Sequence, residues 1–126
     1  MVLVERTSST SWNVFCLYVG EYFYIDDKMI YISGPITNED KDTQKKNMDR
    51  FFEVERDFNK KGFTCINPAR NGDSPDKTYE YYLAKDLIDI FENEPDFYFL
   101  KGWENSRGAR LEHEICVQLG LGIRYE

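Results

Sequence analysis

Short apolar runs alternate with longer segments of helical periodicity along most of this chain, from Met29 to its last residue. The apolar runs are MIYIS, FTCIN, DFYFL and LGIRY, which are rich in β-branched or aromatic residues, as strands are. Between them, residues 39–61, 77–92 and 107–119 carry apolar side chains at the spacing of a helix face. This alternation favours right-handed crossovers. It predicts an α/β fold, namely a flavodoxin- or Rossmann-like three-layer sandwich with a parallel sheet of four to five strands.

The first 28 residues have a different character. A Ser/Thr cluster is followed by the runs VFCLYV and EYFYI, without the basic start and uninterrupted apolar core of a signal peptide. The two runs predict either a short hairpin that turns at Gly20-Glu21 or a poorly ordered extension. We therefore predict an N-terminal extension over residues 1–28 and a single domain over residues 29–126.

Charge and cysteine content exclude several classes of function. The net charge is −7 and no basic stripe is present, which argues against polymeric nucleic acid and anionic membranes as partners. No apolar run approaches the roughly 18–20 residues of a membrane span. The three cysteines are widely spaced and there is one histidine, so we expect no disulfide framework, no metal site, and a cytoplasmic location.

Three loops follow the first three predicted strands: SGPITN, NPARNGD and KGWENSRGARLE. In doubly wound sheets the ligand lies at the carboxyl ends of the strands, so these loops are where a site is expected. The third loop leads into a helix start, and its small residues leave backbone N–H groups free for an anion. The loops match neither the Walker A pattern nor the dinucleotide fingerprint GxGxxG.

Two carboxylates fall on apolar helical stripes. Asp86 shares the stripe of Leu83, Leu87 and Ile90, and Glu112 lies one turn before Ile115 and Cys116. Each alone could be a border residue that reaches solvent. Two carboxyl groups on helices that flank one strand predict instead a semi-buried pair whose pKa values are driven apart, one serving as nucleophile and the other as proton carrier.

Other side chains allow two interpretations each. Tyr31 and Trp103 are placed to stack on a base, although aromatic residues at strand ends commonly belong to the core. His113 lies about 100° around the helix from Glu112, which favours an edge position over a catalytic base. Arg70 lies in an exposed loop and could meet a phosphate.

The segments YISGPIT, YLAKDL and FYFLKGWENSRGARLEHEICVQLGL resemble the nucleoside 2-deoxyribosyltransferase-like superfamily, which includes the 2'-deoxynucleoside 5'-monophosphate N-glycosidases. The resemblance covers Met29 to Glu126. It implies that Glu112 is the nucleophile that attacks C1' of the deoxyribose and that Asp86 protonates or orients the leaving base. It also implies that Ser106 and Gly108 meet a 5'-phosphate. Thr37 stands where a phosphate-binding relative has arginine, so nucleoside and 5'-monophosphate both stay open as substrates. The full substrate-binding set predicted here is Tyr31, Ser33, Gly34, Ile36, Thr37, Trp103, Ser106 and Gly108.

The resemblance implies cleavage of an N-glycosidic bond, or base exchange, on 2'-deoxynucleosides or their 5'-monophosphates, with no cofactor. One alternative is a binding module that holds a nucleotide or an ADP-ribose-type ligand without turnover. Another is a glycohydrolase that acts on NAD-type dinucleotides. Because residues 29–126 alone must supply the whole sheet, the site is expected to be shallow, and we predict a homodimer or larger homo-oligomer.

Overall fold

In a computed structural model of the protein, the described part of the chain comprises residues 29–72 and 74–126, together with the backbone of residues 2–4, 14–19 and 21–26. The N-terminal segments are strands β1 (Val2–Val4), β2 (Val14–Val19) and β3 (Glu21–Asp26). They form an antiparallel sheet in the order β1-β2-β3, with Leu17 opposite Phe23. The predicted runs VFCLYV and EYFYI thus coincide with β2 and β3, while the turn residue Gly20 lies outside the described residues. The division at residue 28 stays a prediction.

A second sheet is built by the remaining chain. Its elements are β4 (Met29–Ser33), α1 (Lys41–Lys60), β5 (Thr64–Ile66), α2 (Tyr79–Asn93), β6 (Asp96–Phe99), α3 (Arg107–Leu119) and β7 (Ile123–Tyr125). Short 3-10 turns cover Pro68–Asn71 and Trp103–Asn105. All pairings in this sheet are parallel, in the order β5-β4-β6-β7. The predicted α/β fold is confirmed, with four strands.

Each helix starts at a polar cap. The side chain of Asp40 accepts from the backbone N–H of Asp42, that of Thr78 from Tyr81, and that of Ser106 from Ala109. Such caps satisfy N–H groups that have no partner inside the helix. At the other end of α3, Gly120 adopts the left-handed conformation with φ 69°, which glycine allows at little cost. The predicted bounds of this helix, 107–119, are therefore the observed ones.

Strand β4 divides its side chains between two cores. Ile30 and Ile32 pack with Phe51 and Val54 of α1 on one face of the sheet. Tyr31 packs on the other face, in a core that includes Ile90 of α2 and Cys116 of α3. Because side chains alternate along a strand, these two cores make three layers, with α1 on one side of the sheet and α2 and α3 on the other.

The strand order reverses at β4. From β4 the chain first passes to β5 on one side, and then returns past β4 to β6 on the other. The loops after β4 and β6 diverge there and leave a crevice at the carboxyl ends of the strands. Gly34 begins the first of these loops, and a Cβ at this position would meet Leu100 Cβ at 2.9 Å, so the close approach requires glycine.

Candidate active site

A cleft of about 460 Å³ opens at this crevice. Its walls are the loop after β4, the first half of α1, the turn after β5, the first half of α2 and the start of α3. Several apolar side chains line it, among them Ile36, Met48 and Leu83, next to a small number of polar groups. Cavities of this size and lining are typical of sites for small molecules.

Glu112 lies at the floor of the cleft, on the first half of α3, and is only 7% exposed. Ser33 Oγ donates a hydrogen bond of 3.1 Å to Glu112 Oε1. The second carboxyl oxygen, Oε2, is buried and has no hydrogen-bond partner among the described residues. Burial raises the pKa of Glu112 to about 8, against the opposing effect of the Tyr31 and Ser33 hydroxyls. A buried carboxyl oxygen without a partner is costly, which marks Glu112 as a candidate functional group.

Tyr31 lies directly beneath the cleft and is completely buried. Burial first, and then the charges of Glu112 and Asp86, raise the pKa of Tyr31 well above its usual value. Its hydroxyl lowers the pKa of both carboxyl groups, although it forms no hydrogen bond of ordinary geometry with any described residue. The phenol therefore stays protonated and lies close to both carboxylates.

Asp86 faces the cleft from α2 and is half-buried. The amide of Asn71 donates a hydrogen bond of 3.0 Å to Asp86 Oδ1. Burial, and then the nearby charge of Asp89, raise the pKa of Asp86 to about 6. Since Asp86 also raises the pKa of Glu112, the two carboxyl groups titrate as a pair. Between about pH 6 and pH 8 this pair holds one proton.

Two cations line the cleft: Arg107, at the first residue of α3, and Lys77, just before α2. The Arg107 guanidinium is 5.1 Å from the centre of the Tyr79 ring, and the Lys77 ammonium is 4.7 Å from that of Tyr81. Ser106 and Gly108 line the same part of the cleft. The first N–H groups of a helix carry a partial positive charge, so this corner is electropositive in a chain of net charge −7.

Most of the site residues predicted from the sequence come together here. The cleft is lined by Ser33, Gly34, Ile36, Thr37, Asp86, Ser106, Gly108 and Glu112. Tyr31 supports the cleft from below. Trp103 does not line it: its ring stacks on His113 at 4.3 Å, in a separate surface depression next to Tyr125. Sequence reasoning placed Trp103 near the ligand because it follows β6, but its ring packs against Phe99 and the core around it, which fits the core interpretation of this aromatic residue.

Several residues that line the cleft are absent from the sequence prediction: Asn71, Lys77, Tyr79, Tyr82 and Arg107. The topology does place the NPARNGD loop at the ligand edge, but composition does not indicate which of its polar side chains faces inward. Arg70, the residue of that loop considered for phosphate, instead pairs with Glu55 at 2.8 Å. His113 lies at the edge, with Nε2 2.7 Å from the Tyr125 hydroxyl.

The described residues contain no group of three or more His, Cys, Asp or Glu side chains arranged to hold a metal ion. In the same part of the chain, none of the helices combines the length and the apolar character needed to cross a bilayer.

Comparison with known proteins identifies one family. A family model described as a domain of unknown function, DUF4406, matches residues 28–125. Neither the curated proteins nor the solved structures give a match to this chain. The matched residues include the whole parallel sheet and both carboxylates of the cleft, and the chain therefore belongs to the DUF4406 family.

Proposed function

We propose that the protein cleaves the N-glycosidic bond of a 2'-deoxynucleotide, with Glu112 as nucleophile and Asp86 as proton donor. The carrying observation is a buried carboxyl oxygen without a partner, Glu112 Oε2, beside a second carboxyl group in the same cleft. Pairs of carboxyl groups in unlike environments serve in retaining glycosidases as nucleophile and acid. The resemblance of the YISGPIT and GWENSRGARLE segments to nucleoside 2-deoxyribosyltransferase-like proteins supports the same roles.

The two carboxyl groups have different roles in the proposed reaction, because opposite charges develop on the sugar and on the leaving base. As the bond between C1' and the base nitrogen breaks, positive charge develops on C1' and the ring oxygen, and the Glu112 carboxylate stabilises it and bonds to C1'. Asp86 gives its proton to a ring nitrogen of the leaving base, so that the base departs neutral. Water then attacks C1' and releases the sugar, or a second base attacks and gives the exchange product. Ser33, which donates to Glu112 Oε1, fixes the carboxylate for this attack.

The corner at the start of α3 favours the 5'-monophosphate over the nucleoside. Arg107 supplies a positive charge there, with a hydroxyl from Ser106 and backbone N–H groups near Gly108, and Lys77 adds a second positive charge to the cleft from the segment before α2. These cations compensate for Thr37, which stands where a phosphate-binding relative has arginine.

We also propose a homodimer in the cytoplasm. Helix α2 buries only Ile90, while Tyr81, Ile88 and Phe91 are about half exposed, and such a face is typical of an interface between subunits. The free thiols of Cys65 and Cys116 suit a reducing compartment.

One observation favours the alternative of a binding module without turnover. With its pKa near 8, Glu112 holds a proton at neutral pH in the empty cleft, and a neutral carboxyl group is a poor nucleophile. Catalysis then requires that binding of the nucleotide shift the shared proton from Glu112 to Asp86. The alternative of an NAD-type glycohydrolase keeps the same nucleophile and differs in substrate.

The test is release of free base from a panel of 2'-deoxynucleosides, their 5'-monophosphates and NAD, followed by chromatography. We expect release from monophosphates, with a bell-shaped dependence of kcat/KM on pH whose limbs lie near 6 and 8. Glu112→Ala should abolish it, whereas Glu114→Ala, an exposed position on the same helix, should not. Release that survives in Glu112→Ala would contradict the proposal. Thermal stabilisation by nucleotides without any product would favour the binding module. Consumption of NAD would favour the NAD-type glycohydrolase.

A further inference from the structure

The turn after β5 is fastened to α1 by a polar cluster centred on the buried side chains of Glu55 and Asn67, with the exposed Arg70 at its edge. Glu55, 7% exposed, accepts from Asn67 Nδ2 at 2.7 Å and from Arg70 Nε and Nη2 at 2.8–3.1 Å. Asn67 Oδ1 in turn accepts from the backbone N–H of Ala69 at 2.9 Å. Because the two ends of this turn are tied to one side chain of the opposite layer, its last residue, Asn71, is held in a fixed position over the cleft.

The orientation of the Asn71 amide follows from its partner. An ionised carboxylate only accepts hydrogen bonds, so the amide nitrogen must face Asp86 Oδ1, as observed at 3.0 Å. The amide oxygen then faces away from Asp86, and no described residue donates to it. At the cleft wall, Asn71 Oδ1 thus offers an acceptor, and Asp86, once protonated, offers a donor beside it.

We propose, on the basis of the proposed function, that Asn71 and Asp86 together select a leaving base whose ring nitrogen stands beside an exocyclic amine. Adenine presents this edge at N7 or N1 and cytosine at N3, whereas guanine presents it only at N3, beside its 2-amine. The Asp86 O–H donates to the ring nitrogen while the amine N–H donates to Asn71 Oδ1, in the same bidentate manner by which an asparagine reads adenine N6 and N7. The proton then passes from Asp86 to the ring nitrogen, the C1'–N bond breaks, and the carboxylate left behind keeps its hydrogen bond from Asn71.

Oxo bases are rejected for the opposite reason. Beside N7 of hypoxanthine and guanine, and beside N3 of uracil and thymine, a carbonyl oxygen replaces the amine, so it would meet Asn71 Oδ1 as a second acceptor without a proton between them. Rotation of the amide would supply an N–H to that carbonyl, but it would turn the amide oxygen toward the carboxylate of Asp86 as soon as the proton is transferred. Either arrangement leaves two acceptors in contact, and sites of this kind discriminate strongly.

The experiment compares matched substrates: 2'-deoxyadenosine with 2'-deoxyinosine 5'-monophosphate, and 2'-deoxycytidine with 2'-deoxyuridine 5'-monophosphate. We expect kcat/KM for base release to favour at least one amino member over its oxo partner by about tenfold or more. Whether that member is the purine or the pyrimidine identifies the base. Asn71→Ala should reduce the preference to within about twofold. The bulkier Asn71→Leu should do the same, and it serves as a second test if Asn71→Ala does not fold. Asn93→Ala, at the exposed end of α2, should leave it intact.

A binding measurement separates this inference from the proposed reaction. Calorimetric titration of the Glu112→Gln variant with the same four nucleotides reports selection without turnover. Tighter binding of the amino nucleotides with no base release by the wild type would uphold the selection and defeat the proposed reaction. Equal release from both members of each pair, a preference that survives both Asn71 variants, or no binding and no release at all, would overturn the selection.

Discussion

The buried carboxyl group of Glu112 lowers the stability of the folded protein at neutral and higher pH. Its pKa of about 8 in the folded protein exceeds the 4.5 of a free glutamate, so the folded state holds a proton that the unfolded chain has released. Stability therefore falls as the pH rises from about 4.5 to 8. We expect Glu112→Gln to raise the free energy of unfolding by roughly 1–3 kcal/mol above pH 8 and to change it little near pH 4. Urea unfolding as a function of pH measures this difference.

The matched control for that measurement is Glu114→Gln, an exposed change on the same helix. It should leave the pH dependence of stability as it is in the wild type. A Glu112→Gln variant whose gain in stability is the same at pH 4 and pH 9 would show that the carboxyl group of the native protein is not held in its neutral form.

Tyr31 allows function to be separated from stability at a single atom. Its hydroxyl is buried without an ordinary hydrogen bond, so Tyr31→Phe removes an unsatisfied polar group and should cost less than about 1 kcal/mol of stability. The same hydroxyl lowers the pKa of Glu112 and Asp86, so its loss should raise both limbs of the pH profile of base release. A variant with unaltered limbs would contradict the role given to this phenol.

At the scale of elements, Glu55 holds the short 3-10 turn after β5 against α1. Glu55→Ala would leave Asn67 and Arg70 without their acceptor, and we expect it to lower the free energy of unfolding by about 1–3 kcal/mol and to weaken nucleotide binding. The control is Glu53→Ala, two residues away on α1, whose ion pair with Arg50 is exposed and whose loss should cost less than about 0.5 kcal/mol. Thermal unfolding and titration with a nucleotide measure the two effects.

The helices and strands could be predicted from the sequence, because each has a hydrophobic periodicity that neighbouring residues alone produce. Helix α3 could be placed to the residue, since Ser106 caps it and Gly120 ends it. Glu112 and Asp86 could be found because a helical stripe fixes their direction relative to the core. The positions of Asn71 and Trp103 could not be predicted in this way. Each lies in a 3-10 turn whose course depends on contacts with residues distant in sequence, Glu55 for the turn of Asn71 and His113 for that of Trp103. The order β5-β4-β6-β7 also depends on long-range packing, so alternation alone does not give it.

At the scale of the whole molecule, α2 is the least buried of the three helices in the described chain. Ile88 is 56% and Phe91 is 57% exposed, and both lie on the outer side of the α2–α3 layer. We expect the wild type to be a dimer by light scattering after size exclusion, and the double change Ile88→Lys and Phe91→Lys to give monomers, because charged groups are costly at the core of an interface. Glu92→Lys, on the same turn and exposed, should remain dimeric. A wild type that stays monomeric at high concentration would contradict the interface.

Strand β4 makes the cleft sensitive to a folding error of a single residue. Its odd positions, Tyr31 and Ser33, lie under the carboxyl groups, and its even positions, Ile30 and Ile32, pack against α1. A slip of one residue in pairing would exchange the two faces and put an isoleucine where Glu112 needs a hydroxyl. Such a molecule would still be compact and rich in secondary structure, but it would lack the cleft on which the proposed reaction depends. In an assay of the proposed base release, specific activity would therefore count correctly registered molecules, which circular dichroism does not distinguish from the others.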